Sequence, residues 1–321
     1  MTNVRDIRVF AGQSGRAFAA EMCAGLGVPL SDSLLKRFAN DCLEVQLLEN
    51  CRERDVYLVQ PIVAPTQENL MELLLMIDAA KGASARRITA VMPHFAYARS
   101  DKKDAPRISI GGRLVADLLE TAGVDRVLTM TLHAPQVHAF FRVPTDQLHA
   151  RRELAAHFAG ADLSNTTVVS PDLGNAKSAT AFARMLGTRV AAGAKERFDD
   201  NRVVITSLIG DVAGRDIIVL DDEIANGSTI RAIVDLLDDA GVSSIRVACT
   251  HGIFSNGALD RIAGDDRITE VVTTDTVPQR AQHPKLTVLG VAPAFADAVH
   301  RIHSGESVSA LFDVRPEPAD A

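Results

Sequence analysis

The stretch that decides the fold runs from Ile217 to Ile230 and reads IIVLDDEIANGSTI. Its apolar beginning predicts a strand buried on both faces of a parallel sheet, and its end predicts the start of a helix. Asp221 and Asp222 follow the apolar run directly, before a short Gly/Ser/Thr loop. In open α/β sheets, ligands bind at loops that follow the carboxyl ends of such strands.

The residue types in this loop favour a sugar phosphate as the ligand. Gly227 allows the backbone to approach a ligand closely. Ser228, Thr229 and the unpaired N–H groups of a helix start can bind an anion. Asp221 and Asp222 would repel a phosphate but suit sugar hydroxyls or a divalent cation. Taken alone, the stretch fits a capped βα turn with solvated acids equally well.

Length and composition exclude several classes of protein. The 321 residues favour two domains over one. With 4% aromatic residues and a net charge of −7, nucleic-acid binding by base stacking or by a basic surface is disfavoured. Four scattered cysteines form no C-x-x-C pair and are typical of a reducing compartment. Neither a signal-peptide pattern nor a membrane-spanning run is visible, so we expect a cytoplasmic protein.

Strand-like and helix-like segments alternate along the chain, which predicts two α/β domains, each a mainly parallel sheet flanked by helices. We expect the domains to comprise residues 1–149 and 150–314, with a boundary near Leu148–Arg152. Residues 315–321 contain two prolines and are expected to form a disordered tail. The predicted strands that matter for function are Ile88–Met92, Val127–Met130, Thr167–Ser170 and Asp216–Leu220.

Four clusters of polar residues also follow predicted strands or lie in predicted loops. Arg99 can clamp a phosphate, His133 can ligate a metal or contact a nucleotide phosphate, and Asp172 can hold Mg²⁺. Lys195 and Arg197 can close over a transferring phosphoryl group. Each cluster alone also fits a solvated loop, a structural histidine, a capped helix or a hairpin tip. Their shared position at strand ends favours a phosphate-handling site, although no Walker-type ATP motif is present.

Several motifs, in order, give the chain a resemblance to the ribose-phosphate pyrophosphokinase family. They are Met71–Leu74 with Ile77–Ala79, Tyr97–Arg99, Leu118–Gly123, Leu132–Gln136 with Phe140 and Phe141, Ser170–Asp172, and Val308–Phe312. The resemblance covers nearly all of residues 4–313. It implies two phosphoribosyltransferase-type domains and a homo-oligomer, a hexamer of dimers.

The resemblance implies an ATP-dependent diphosphotransferase. Such an enzyme moves the β,γ-diphosphoryl group of Mg-ATP to the anomeric hydroxyl of ribose 5-phosphate and releases AMP, with Mg²⁺ as its cofactor. The site residues that the family implies are Asp221, Asp222, Ala225, Asn226, Gly227, Ser228 and Thr229 for ribose 5-phosphate; Phe38, Asn40, Arg99, Ser100, Asp101 and His133 for ATP; His133 and Asp172 for Mg²⁺; and Lys195 and Arg197 for catalysis.

Three residues depart from the family's pattern. Ala225 and Thr131 stand where the family usually has an acid, and Cys42 stands where an acid or amide usually contacts adenine. The sequence therefore also permits a catalytically impaired regulatory paralogue that assembles with an active synthetase. A phosphoribosyltransferase shares the sugar-phosphate loop but does not explain the match of the N-terminal half. A scaffold with vestigial sites would not bind ribose 5-phosphate.

Overall fold

The structure is a computed structural model that describes residues 6–197 and 203–311, without the side chains of residues 195–197, 203–206 and 310. The chain divides into two compact units. The first contains residues 6–149, 276–278 and 291–311, and the second contains the described residues of 150–275 and 279–290. Residues 315–321, the expected tail, lie outside the described residues. Within the described ranges, no helix is long and apolar enough to cross a membrane.

The first unit is built on a parallel sheet. Its strands are β1 (Ile7–Ala11), β2 (Leu30–Ser31), β5 (Asp55–Val59), β6 (Arg87–Met92), β7 (Arg126–Met130) and β8 (Thr145–Leu148), and a separate hairpin consists of β3 (Ser33–Arg37) and β4 (Leu43–Leu47). The order in the sheet is β2-β1-β5-β6-β7-β8, and every pairing is parallel. Its helices are α1 (Arg16–Leu26), α2 (Thr66–Gly82), α3 (Gly111–Ala122) and α8 (Ala292–Ser304).

Helices cover both faces of this sheet. Successive side chains of a strand point to opposite faces. In β5, Val56 and Leu58 pack into a core that α2 and α3 complete. Tyr57 lies between them in sequence, and its hydroxyl donates to the carbonyl oxygen of Val299 in α8 (3.5 Å). The entirely apolar, fully buried middle of β5 is thus explained by helices on both sides.

A buried polar cluster fastens α8 to the first unit. Asp55, which is fully buried, lies 2.8 Å from Nδ1 of His303. The guanidinium of Arg87 donates to Asp55 (2.8 Å) and to the carbonyl oxygen of Ile302 (3.2 Å). These contacts are the physical reason why residues 291–311 group with the first unit, whereas the sequence-based division assigned them to the second.

The second unit is built on a mixed sheet. Its strands are β9 (Thr166–Ser170), β10 (Arg189–Arg197), β11 (Val203–Ile209), β12 (Asp216–Ile224), β13 (Ser244–Gly252), β14 (Ile268–Thr274) and β15 (Leu286–Leu289). The order is β11-β10-β9-β12-β13-β14-β15, and within the described residues β10 and β11 form its one antiparallel pair. Its helices are α4 (Arg151–Phe158), α5 (Ala176–Leu186), α6 (Ser228–Asp239) and α7 (Ala258–Ala263). The predicted α/β class, with mainly parallel sheets flanked by helices, is confirmed.

The predicted strand Asp216–Leu220 is four residues longer in the structure. It continues to Ile224 as β12, so Asp221 and Asp222 lie within a strand and not in the loop that follows it. The reason is that β13 continues alongside and pairs Asp221 with Cys249, which keeps the backbone in the sheet. The loop itself is therefore confined to three residues before α6.

For the segment with Lys195 and Arg197, the sequence permits either a loop that closes over a phosphoryl group or the tip of a β-hairpin. In the structure its backbone belongs to β10, with Lys195 opposite Ile205 and Arg197 opposite Val203 in β11. The two predicted catalytic residues thus lie in one arm of a β-hairpin. Their side chains lie outside the described part of the chain.

Candidate functional site

The second sheet has a point at which its strand order reverses. β9 has β10 on one side and β12 on the other. Loops that leave such neighbouring strands diverge, and the crevice between them is the usual ligand site of open α/β sheets. The loop after β9 contains Asp172, and the loop after β12 contains residues 225–227. The structure therefore brings Asp172 and the whole predicted ribose 5-phosphate set to one edge of one sheet.

Hydrogen bonds tie these two loops together. Asn175 donates through its side-chain amide to the carbonyl oxygen of Leu220 in β12 (3.0 Å). Its backbone N–H donates to Oδ1 of Asp172 (3.1 Å), and Ser170 Oγ donates to the Asp172 carbonyl oxygen (2.6 Å). Asn175 thus fixes the Asp172 loop against the end of the strand that contains Asp221 and Asp222.

The acids at this edge influence one another. Burial raises the pKa of Asp221 well above its usual range, and the negative charges of Asp222 and Asp172, with a hydrogen bond to Asp222, raise it further. The backbone N–H of Asp222 donates to Asp221 Oδ1 (2.9 Å), which opposes the shift in this pKa only partly. Carboxyl groups crowded in this way suit hydroxyl donors or a divalent cation, either of which would stabilise the ionised form.

The segment of residues 225–229, called the 225–229 loop below, consists of the three loop residues and the first two residues of α6, and it has a fixed conformation. Gly227 has φ 77°, in the left-handed region, and a Cβ atom there would lie 2.8 Å from Cδ1 of Ile262. Oδ1 of Asn226 accepts hydrogen bonds from the backbone N–H and the hydroxyl of Ser228 (3.0 and 2.9 Å). A glycine is therefore required at position 227, both for the backbone conformation and for space.

Sequence reasoning missed one residue at this loop. Arg261, in α7, donates from Nη2 to the carbonyl oxygen of Asn226 (3.1 Å). The two residues are 35 positions apart, and no local pattern connects them. A lone arginine in a short helix gives no signal in the sequence, so only the fold identifies this contact.

In the first unit, four predicted ATP residues lie in the loops after β6 and β7, which are neighbours in the sheet. They are Arg99, Ser100, Asp101 and His133. The loops are joined because the side-chain amide of Gln136 donates to Asp101. Ser100 Oγ accepts the backbone N–H of Gly111 at the start of α3 (2.8 Å). Arg99 and His133 are both exposed, so they are accessible to a ligand.

Thr131, two positions before His133, has a strained backbone. Its φ is 41°, in the left-handed region, where a β-branched residue is rarely found. Its N–H donates to the carbonyl oxygen of Leu148 in β8 (2.9 Å), which holds the chain in this conformation. The strain lies at the junction between β7 and the loop that presents His133.

Phe38 and Asn40 belong to a different element. They lie in the turn of the β3–β4 hairpin, which is a two-stranded sheet of its own. Phe38 is 39% exposed, and the ammonium group of Lys36 lies 4.7 Å from its ring centroid. Asn40 Oδ1 accepts the N–H of Cys42 (3.3 Å). The Phe38 ring is thus exposed, and it lies in a two-stranded sheet that is separate from the sheet of β6 and β7.

The acids near Asp172 fit a partial Mg²⁺ site better than a closed metal site. Among the residues that the structure describes, no group of three or more His, Cys, Asp and Glu side chains could enclose a metal ion. Mg²⁺ is commonly held by one or two carboxylates together with substrate phosphates. The carboxyl group of Asp172, close enough to Asp221 to raise the pKa of that residue, fits such a partial site.

Comparisons with known proteins identify the same family along most of the chain. A family model for the N-terminal domain of ribose phosphate pyrophosphokinase matches residues 7–123, and one for the phosphoribosyl synthetase-associated domain matches residues 200–313. A Streptomyces coelicolor protein, provisionally named a ribose-phosphate pyrophosphokinase, is 66% identical over 98% of this chain and 99% of its own length. The Deinococcus radiodurans ribose-phosphate pyrophosphokinase is 50% identical over 95% of this chain and 97% of its own length.

A solved structure gives the same result for the fold. The phosphoribosylpyrophosphate synthetase from Mycobacterium smegmatis superimposes with a TM-score of 0.87 at 36% identity, covering 93% of this chain and 99% of that one. Both units of the present chain are therefore of the phosphoribosyltransferase type, as the sequence motifs implied.

Proposed function

Because the chain belongs to the ribose-phosphate pyrophosphokinase family and is an ATP-dependent diphosphotransferase, we propose that it transfers the β,γ-diphosphoryl group of Mg-ATP to the anomeric hydroxyl of ribose 5-phosphate. The products are phosphoribosyl diphosphate and AMP. The observation that supports this most directly is the edge between β9 and β12. There two adjacent, half-buried acids and a glycine loop at a helix start lie side by side, as a sugar with a phosphate requires.

The two ends of ribose 5-phosphate need opposite chemistry. The carboxylates of Asp221 and Asp222 accept hydrogen bonds from the ribose hydroxyls. The backbone N–H groups of 226–229, with the hydroxyls of Ser228 and Thr229, bind the 5-phosphate, which the positive end of the α6 dipole also favours. Ala225 contributes only its backbone, because its side chain is a methyl group. Its carbonyl oxygen accepts the N–H of Ser255 (3.0 Å), which holds the loop in place.

The nucleotide is assigned to the first unit. The guanidinium of Arg99, with Ser100, Asp101 and His133, meets the phosphates and ribose of ATP. On the hairpin, the exposed ring of Phe38 stacks on adenine and the amide of Asn40 hydrogen-bonds to it. Both groups of residues are accessible, which supports the assignment.

Asp172 and His133 would hold Mg²⁺, the first through a carboxylate oxygen and the second through an accessible ring nitrogen. When bound, the ion neutralises charge on the ATP phosphates. The Asp172 carboxyl group suits this role because it lies among other acids whose mutual repulsion a divalent cation would relieve.

The transfer itself needs no covalent help from the protein. The anomeric oxygen attacks the β-phosphorus, the bond to the oxygen that bridges to the α-phosphate breaks, and AMP leaves with that electron pair while the hydroxyl proton passes to solvent. Lys195 and Arg197 neutralise charge on the phosphorus under attack. Loss of either cation is expected to slow the reaction by about 10²–10³. We further propose a cytoplasmic homo-oligomer, a hexamer of dimers, which sedimentation would test.

The deciding experiment measures AMP release from ATP with Mg²⁺ and phosphate, with and without ribose 5-phosphate. AMP that depends on ribose 5-phosphate, together with phosphoribosyl diphosphate, is the expected result. Ribose without the phosphate serves as the control and should not support turnover. Binding of ribose 5-phosphate without turnover would instead favour the regulatory paralogue, for which Ala225 and Thr131 in place of acids are the sequence argument.

A further inference from the structure

Helix α7 packs directly beneath the loop of residues 225–229. The nearest neighbour of a Cβ atom built at Gly227 would be Cδ1 of Ile262 (2.8 Å), and the next side chain would be that of Ala258 (3.6 Å). Both residues are buried. The turn that precedes α7 is also joined to the loop, since the N–H of Ser255 donates to the carbonyl oxygen of Ala225 (3.0 Å). The loop therefore rests on a support that no residue of the proposed substrate set supplies.

Arg261 is the exposed side chain of this support that contacts the loop. Its Nη2 donates to the carbonyl oxygen of Asn226 (3.1 Å), and its Nη1 donates to the carbonyl oxygen of Asn256. Both of these hydrogen bonds from the Arg261 guanidinium go to backbone carbonyl oxygens and not to a carboxylate. Its charge is thus directed at two backbone carbonyl groups, one of which is in the loop.

The peptide bond converts this contact into an orientation. In a planar trans peptide, the N–H of a residue points opposite to the preceding carbonyl. When Arg261 holds the Asn226 carbonyl toward α7, the N–H of Gly227 points away from α7. A guanidinium bound to the carbonyl oxygen also polarises that peptide group, which makes its N–H a better donor to an anion.

We propose that Arg261 is a positioning residue for the 5-phosphate of the sugar substrate. It acts through the backbone of the 225–229 loop by bridging the carbonyl oxygens of Asn226 and Asn256. The inference rests on the proposed function, because it assumes that this loop binds the phosphate of ribose 5-phosphate.

The test compares ribose 5-phosphate binding to the full chain by calorimetry, without ATP, for the wild type and for Arg261→Ala and Arg261→Lys. Arg261→Ala is expected to weaken binding by about ten-fold, because hydrogen bonds from charged donors contribute about that much. Arg261→Lys keeps the charge but cannot bridge both carbonyl oxygens, so it should recover only part of the affinity. In steady-state assays, the KM for ribose 5-phosphate should rise while the KM for ATP changes less than about two-fold.

The matched control is Arg267→Ala, in the same unit. Arg267 pairs with Asp265 (2.7 Å) and Asp235 (2.9 Å) and contacts no residue of the loop. It should lower the melting temperature without changing the affinity for ribose 5-phosphate. Equal loss of affinity in Arg267→Ala, or wild-type affinity in Arg261→Ala, would overturn the inference. Absence of ribose 5-phosphate binding by the wild-type protein would instead refute the proposed function itself, and this inference with it.

Discussion

The two sheets share a feature that they use differently. Each has a point where strand order reverses, between β1 and β5 in the first unit and between β9 and β12 in the second. In the second, the crevice is flanked by acids and the 225–229 loop. In the first, it is filled by the protein's own side chains. Glu72, 4% exposed, accepts the N–H of Gln13 (3.1 Å to each oxygen) and the side-chain amide of Gln60 (2.6 Å).

Glu72 thus takes the place that an anionic ligand would have near the start of α1. Gly12 leaves room for this arrangement, since a Cβ atom there would lie 2.4 Å from Oε1 of Gln60. A point where strand order reverses is therefore not by itself a ligand site. Whether it binds a ligand depends on whether the backbone donors at the loop are already satisfied by a buried side chain. The predicted ATP residues of the first unit lie elsewhere, four of them in the loops after β6 and β7 and two in the turn of the β3–β4 hairpin.

The largest expected effect comes from emptying the filled crevice. Glu72→Ala removes the acceptor of the Gln13 N–H and the shortest hydrogen bond of the Gln60 amide, which keeps only its longer contacts to Asn69 (3.2 and 3.3 Å). The substitution should lower the free energy of unfolding by about 3 kcal/mol. Urea denaturation measures this change. If Glu72 stands in for an anion, acetate should restore part of the loss in Glu72→Ala and have no such effect on the wild type. Equal effects of acetate on both proteins would argue against the comparison.

The pH dependence of stability gives a second view of Glu72. Burial raises the pKa of this carboxyl group, although hydrogen bonds from Gln13 and Gln60 lower it in part. A raised folded-state pKa means that the folded protein binds the proton more tightly than the unfolded chain. The contribution of Glu72 to stability therefore falls as pH rises from the ordinary glutamate value through the raised value. Glu72→Gln should flatten the stability curve in that window, and an unchanged slope would contradict this assignment.

Removing an acid from the crevice between β9 and β12 should affect activity strongly and stability little, the reverse of what is expected for Glu72→Ala. Asp221→Asn removes a carboxyl group whose ionised form is disfavoured by its partial burial and by the charges of Asp222 and Asp172, so the protein without ligand should be at least as stable as the wild type. Loss of a charged acceptor for ribose should lower kcat/KM for ribose 5-phosphate by about 10²-fold. Melting curves and steady-state rates measure the two effects separately.

The control for this acid lies at the other end of the same strand. Asp216 accepts a hydrogen bond from Ser244 Oγ (2.6 Å) and is remote from the carboxyl end of β12. Asp216→Asn should leave kcat/KM for ribose 5-phosphate unchanged. A destabilised Asp221→Asn protein with normal kinetics would mean that Asp221 has a structural role and would remove it from the substrate site.

Thr131 tests how far the nucleotide side has diverged. Asparagine and aspartate tolerate a positive φ better than threonine does. Both Thr131→Asn and Thr131→Asp should therefore stabilise the protein, by about 1 kcal/mol. Only Thr131→Asp adds a carboxylate near His133, so only this variant should lower the half-saturating Mg²⁺ concentration, by several-fold. An unchanged Mg²⁺ requirement would contradict the hypothesis that Thr131 weakens metal binding.

Local patterns were sufficient for much of the fold. The predicted strands Ile88–Met92, Val127–Met130 and Thr167–Ser170 agree with β6, β7 and β9 to within one residue. The apolar run before Asp221 gave β12 its start but not its end. The end depends on β13, whose pairing with β12 is a contact between distant segments. The β3–β4 hairpin went unassigned, although the alternation in Leu43-Glu44-Val45-Gln46-Leu47 is a usable strand signal.

The chemistry of the site was predictable where residue type alone decides it. The sequence locates the acids and the glycine loop because they follow an apolar run directly, although that stretch alone fits a capped βα turn equally well. It does not locate Arg261, or the contacts of Asp55 with Arg87 and His303, because these bonds join residues 32 to 248 positions apart. It also does not distinguish the filled crevice from the open one. That distinction depends on the direction of the Glu72 side chain, which helix periodicity alone does not fix.

The smallest expected effect concerns the open crevice itself. In the structure, Oδ1 of Asn226 occupies the N–H and hydroxyl of Ser228, which a phosphate would need. This self-contact stabilises only the ligand-free loop, so Asn226→Ala should destabilise the free protein by about 1 kcal/mol and tighten ribose 5-phosphate binding by the same energy, about five-fold. Asn50→Ala is the matched control, because Asn50 makes the same turn contact to the N–H of Arg52 (3.0 Å) away from the loop. It should lose similar stability with no gain in affinity. Weaker binding by Asn226→Ala would show that the Asn226 side chain itself contacts the phosphate. The two crevices would then differ in this respect: Asn226 would bind the ligand, whereas Glu72 binds donors of the protein itself.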